Sequence, residues 1–116
     1  MGFLNLGKKT ETFLSVITME GPGRLRINGL KPRDKAARKA AVEHDRTVCW
    51  AEFSTNGGLI DKGLGRASTQ VGKLGEADRL LRDLPMNPVC RAVLERLREG
   101  QDSVGKWLQL GETAGA

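Results

Sequence analysis

Thr12-Phe13-Leu14-Ser15-Val16-Ile17-Thr18-Met19, then Glu20-Gly21-Pro22-Gly23, then Arg24-Leu25-Arg26-Ile27-Asn28 is the stretch that decides the fold. The first run is rich in β-branched side chains, the second carries turn chemistry, and the third alternates polar with apolar residues. It reads as a β-hairpin. On the second strand the period of two sends Leu25 and Ile27 toward a core. Arg24 and Arg26 then project side by side into water from the other face.

Beyond the hairpin, Pro32 suits the first turn of a helix, where its missing N–H needs no partner, and Ala36, Ala37, Ala40 and Ala41 favour helix strongly. The spacing predicts a helix over 32–44. At about 100° per residue, Lys35, Arg38, Lys39 and Arg46 fall on one side and the four alanines on the other. The alanines are therefore expected to let the helix sit close against a sheet. Lys31 extends the basic stripe from just before Pro32, a position that disfavours helix. Val48-Cys49-Trp50-Ala51-Glu52-Phe53 reads as a strand, Thr55-Asn56-Gly57-Gly58 as a turn and Leu59-Ile60-Asp61-Lys62 as the returning strand of a second hairpin.

Gly63 through Gly75 reads as a mobile connection or a poorly formed helix. Leu74, Ala77, Leu80, Leu81 and Leu84 then share one helical face, ended by Pro85. Asn87-Pro88 opens a helix running to Arg98 and burying Val89, Val93, Leu94 and Leu97, with Gly100 as its stop. Asp102 or Ser103 is read as the cap of a last short helix in which Val104, Trp107 and Leu108 face inward and Trp107 closes the core. The expected fold is α+β: two β-hairpins flanking a helix (ββαββ, antiparallel sheet), followed by two or three C-terminal helices. Residues 1–116 are expected to form a single small globular domain, with 1–9 and 111–116 flexible.

Totals agree with that reading. A chain of 116 residues supports one core, and 39% hydrophobic with 28% charged residues is an ordinary globular composition. No apolar run reaches the length of about 18 residues needed to span a bilayer as a helix, so no membrane contact of that kind is expected. No targeting signal is read at the N-terminus, and Cys49 and Cys90 are taken as buried free thiols, which together point to the cytoplasm. Ten of the 19 Lys and Arg but five of the 14 Asp and Glu lie at or before Arg46, so the whole net charge of +5 sits in that segment. A one-sided field of this kind favours an anionic partner.

Catalytic and metal motifs are weak. His44 is the single histidine and the cysteines are not paired in spacing, so no metal site is expected. Gly63-Leu64-Gly65 lacks the last glycine of a dinucleotide fingerprint and follows a hairpin strand, and Gly72-Lys73-Leu74 lacks the Ser or Thr of a P-loop, so no nucleotide cofactor is expected. A Cys49 nucleophile with His44 as base would need a strand residue to meet a helix end. No catalytic residue is assigned, and the chain is read as a noncatalytic binding module.

The basic stripe is the sharpest feature. Lys35, Arg38 and Lys39, supported by Lys31, Arg46, Arg24 and Arg26, are the expected contacts to nucleic-acid backbone, with counterion release driving affinity. The small number of aromatics favours duplex DNA or structured RNA over base stacking on single strands. The alternative is a protein–protein interaction module, a regulator or inhibitor docking on an acidic partner surface. Arg91, Glu95 and Arg98 form a self-complementary surface compatible with a homodimer.

Overall fold

The computed structural model describes residues 11–22, 24–71 and 76–108. Its centre is a five-stranded antiparallel sheet, built from β1 (Thr12–Gly21), β2 (Arg24–Leu30), β3 (Thr47–Ser54), β4 (Leu59–Leu64) and β5 (Ser103–Leu108). The order across the sheet is β4-β3-β1-β2-β5. The two hairpins stand as read, and they join through β1 and β3, which pair from Thr12 with Ser54 to Thr18 with Thr47. The readings for residues 1–9 and 111–116, for Leu74 and for the glycines at 72 and 75 lie outside the described residues.

Among the described residues three α-helices pack on the sheet: α1 (Lys35–Val42), α2 (Glu76–Asp83) and α3 (Pro88–Arg98). Helix α1 links β2 to β3 and so crosses β1 on one face. Helices α2 and α3 link the two sheet edges across the other face. The main core lies beneath α2 and α3. There Phe13, Ile17, Leu25, Ile27, Cys49, Ala51 and Phe53 meet Leu80, Leu84, Val93 and Leu97, all buried. Burying a side chain of this size contributes about 1.5–3 kcal/mol, and alternation along each strand supplies one such residue every second position. Asn87 caps α3 as expected, its Oδ1 accepting from the N–H groups of Val89 and Cys90 at 2.9 and 3.0 Å, with Pro88 in the first turn. Gly100, at φ +103°, takes the left-handed conformation just past the end of α3.

Four expectations are corrected. The last element is a strand, not a helix: Ser103–Leu108 pairs with β2, Leu108 opposite Leu25 and Trp107 opposite Arg26. The i, i+3, i+4 spacing of Val104, Trp107 and Leu108 imitates a helical face, but β2 otherwise presents an open edge, and its unpaired backbone groups are satisfied by a strand. Trp107 consequently does not close the core. In a strand, neighbours point to opposite faces, so Leu108 is buried and Trp107 is 53% exposed.

Helix α1 is shorter than 32–44, because Asp34 rather than Pro32 begins it, accepting from the Ala37 N–H at 2.7 Å. Its orientation also reverses the expectation. Ala36, Ala37 and Ala40 are exposed, and the side turned to the sheet carries Arg38, Ala41 and Val42. The alanines promote the helix without packing it.

Candidate functional site

The face of the sheet that α1 crosses carries two tryptophan–arginine stacks. The first is at the β3–β4 end. The Trp50 indole lies flat over Gly63, where an added Cβ would come within 2.8 Å of the ring. Arg38 sits above, its guanidinium carbon 4.9 Å from the ring centroid. That guanidinium is also held by carboxylates: Nε lies 3.3 Å from Glu52 Oε1, and Nη2 donates to Asp61 Oδ2 at 3.2 Å. The side chain is 31% exposed. Thr12 closes the cluster by donating its hydroxyl to the other Glu52 oxygen at 2.9 Å. Arg38 therefore fastens α1 to the sheet, and its charge is spent on Glu52 and Asp61.

The second stack is at the β2–β5 end. Strand alternation puts Arg24, Arg26 and Trp107 on the same face, as read for the two arginines. Arg24 lies 4.3 Å and Arg26 5.5 Å from the Trp107 ring centroid. Arg26 is half-buried because its guanidinium rests on Gly105, where an added Cβ would meet Nε at 2.7 Å. Its Nε is shielded from water and has no hydrogen-bond acceptor. Among the described residues neither Arg24 nor Arg26 forms a salt bridge. A stacked guanidinium with no carboxylate partner keeps its water-accessible N–H groups for an anion.

The remaining basic residues scatter. Arg46 is exposed in the loop between α1 and β3, where its carbonyl accepts from the Met19 N–H at 2.8 Å beside an irregularity in the β1–β3 pairing. Lys35 and Lys39 are exposed on α1, and the Lys31 amine lies 5.9 Å from the Phe13 ring centroid at the end of β2. The stripe expected on one helix is thus divided: Arg38 turns to the sheet, Lys35 and Lys39 to solvent. Trp107 is the residue that sequence reasoning missed. The signal that would have found it is the alternation Val104, Lys106, Leu108 against Gly105, Trp107.

The other face holds the thiols. Cys49 and Cys90 are free and buried, with Cys90 Sγ 3.5 Å from Ser15 Oγ. Burial, with a smaller contribution from the neighbouring Cys90, pushes the Cys49 thiol up to about 12. Burial likewise pushes Cys90 up to about 11, partly opposed by the Ser15 hydrogen bond. Cys49 faces α2 and α3 whereas His44 stands on the α1 face, so the two do not meet across the sheet. On α3, Arg91, Glu95 and Arg98 are exposed, with Arg98 and Glu95 paired at 3.4 Å within the helix. Among the described residues no three His, Cys, Asp or Glu converge as metal ligands, and no helix is long and apolar enough to cross a membrane. No protein-family model matches the chain, and neither a curated protein nor a solved structure shows significant similarity to it.

Proposed function

We propose that this domain is a noncatalytic binding module for single-stranded nucleic acid, centred on Trp107 with Arg24 and Arg26. The observation that carries the reading is a half-exposed indole flanked by two guanidinium groups that no carboxylate of the described residues neutralises. A base has a π-face for the indole, and its phosphates are acceptors for the arginines. Lys35, Lys39 and Arg46 add positive charge on the same side of the sheet, which draws a polyanion toward the platform. Arg38 is left out, since its partners are internal. This moves the centre of binding from the helix to the sheet, and the preferred ligand from duplex to single strand.

The test is fluorescence anisotropy of labelled single-stranded DNA, single-stranded RNA and duplex DNA across a salt series. Wild type is expected to bind single strands more tightly than duplex, with affinity falling steeply as salt rises. Trp107→Ala should weaken single-strand binding about tenfold or more, given ~1–3 kcal/mol per stacked base, and Lys35→Ala/Lys39→Ala by less. Undiminished binding by the Trp107 variant would remove the platform from the proposal. An absence of binding to every nucleic acid at low salt would hand the same arginines to the competing reading, an acidic protein surface.

A further inference from the structure

Beside the Trp107 stack, the α1 face of the sheet dips into a groove of about 440 Å³, a volume within the range of about 300–1,000 Å³ usual for small-molecule sites. Its lining comes from distant segments: Arg26 from β2, and His44 and Arg46 from the loop after α1. The chain leaves that loop through Thr47, whose hydroxyl donates to the Ala41 carbonyl at 2.8 Å and ties the loop to α1. The groove is therefore formed by the way α1 is laid on the sheet, and it shares only Arg26 with the platform.

Its chemistry is selective. The guanidinium groups of Arg26 and Arg46 that line the groove form no salt bridge among the described residues and can donate to an anionic ligand. His44 Nδ1 accepts from the Arg46 N–H at 3.1 Å, so in the neutral ring Nε2–H is the donor left for a ligand. The one carboxylate among the described lining residues, Glu20, accepts from the Thr18 hydroxyl at 2.9 Å with one oxygen and keeps the other for a ligand hydroxyl. Asn28 donates to Thr18 Oγ1 at 3.1 Å, leaving its carbonyl oxygen to accept. Val16, Leu30 and Ala41 give the groove an apolar lining between these polar groups.

Two cations for a doubly charged oxyanion, one carboxylate for hydroxyls and an apolar surface for a ring describe one class of ligand. We propose that the groove binds a phosphomonoester on a hydroxylated, ring-bearing body, of the size of a nucleoside monophosphate, with the phosphate between Arg26 and Arg46. That chemistry is carried equally by a free mononucleotide and by the phosphorylated end of a nucleic-acid strand. The inference stands apart from the single-strand reading, because a groove ligand needs neither Trp107 nor Arg24.

Isothermal titration of the full chain with AMP, adenosine and inorganic phosphate tests it. AMP is expected to bind saturably, adenosine about tenfold or more weakly, and phosphate alone more weakly than AMP. Arg46→Ala should weaken AMP about tenfold or more with no change in thermal midpoint, since Arg46 is exposed and forms no salt bridge among the described residues. Arg91→Ala, on the opposite face, should bind AMP as wild type does. No saturable AMP binding, equal binding of adenosine, or an Arg46 variant with wild-type affinity would each overturn the proposal. Competition by a short oligonucleotide with and without a 5′-phosphate identifies the source. Displacement of AMP by the phosphorylated form alone supports a strand end, and displacement by neither form supports a free mononucleotide. AMP binding without any oligonucleotide binding would sink the single-strand reading and keep this one, and the reverse would do the opposite.

Discussion

The two tryptophan–arginine stacks are built from the same residue types on the same face of one sheet, and they do opposite things. Trp50 lies on Gly63 beneath Arg38, and Glu52 and Asp61 neutralise the guanidinium. Trp107 stands beside Arg24 and Arg26 with no carboxylate in contact among the described residues, and one of those guanidiniums rests on Gly105. The first stack is covered by α1, and the second by no helix of the described residues. A cation near an indole is therefore no sign of a ligand site by itself; what separates a fastening from a binding surface is whether charge and ring are already satisfied within the fold.

The largest effect that would test this contrast is removal of the rings. Trp50→Ala is expected to destabilise the domain by about 2–4 kcal/mol, as truncation of a packed aromatic does. Trp107→Ala should cost under about 1 kcal/mol, because its ring is half in water. Urea unfolding of the two variants measures the difference, and equal losses would break the distinction.

Alkaline pH sharpens the comparison from the other side of the sheet. Cys49 and Cys90 hold their protons to about 12 and about 11, against 9.0 for a free thiol. Between pH 9 and 11 the unfolded chain releases thiol protons that the folded chain keeps, so stability falls as pH rises, by at most about 1.4 kcal/mol per unit for each thiol. Below pH 9 the thiols contribute no pH dependence. Arginine stays charged throughout, so both stacks persist until the core fails. A Cys49→Ala/Cys90→Ala variant should lose stability at neutral pH and show a flatter alkaline decline in thermal midpoint; an unchanged decline would assign it elsewhere.

The smallest effect is at the arginines. Arg38→Ala should cost about 1 kcal/mol, a modest value because Asp61 is largely exposed and only Glu52 is well covered. Arg24→Ala should leave the unfolding midpoint within measurement error while weakening oligonucleotide binding. If Arg38→Ala instead weakened oligonucleotides as much as Arg24→Ala without altering stability, the helix stripe would return as the binding surface.

Much of the fold was legible in local pattern. Both hairpins, the position of Arg24 and Arg26 opposite Leu25 and Ile27, the Asn87 cap of α3 and the burial of the two cysteines follow from alternation, turn chemistry and capping, which act over a few residues. The misreadings have a common origin. Ser103–Leu108 satisfies a helical spacing as well as a strand alternation, and the choice was made by the free edge of β2, some 75 residues earlier in the chain. The alanines of α1 set its propensity, whereas its orientation was set by Arg38 reaching Glu52 and Asp61 on two strands that follow it.

By itself the sequence determined the α+β class, the alternation that divides each strand between two faces, and the concentration of positive charge before Arg46. Tertiary structure alone decided that Arg38 is neutralised, that Trp107 turns outward beside Arg24 and Arg26, and that Arg46 and Arg26 line one groove. The physical reason is range. Propensity and periodicity are properties of neighbouring residues, but whether a charge or a ring is satisfied depends on partners brought up by sheet pairing and helix docking from elsewhere in the chain.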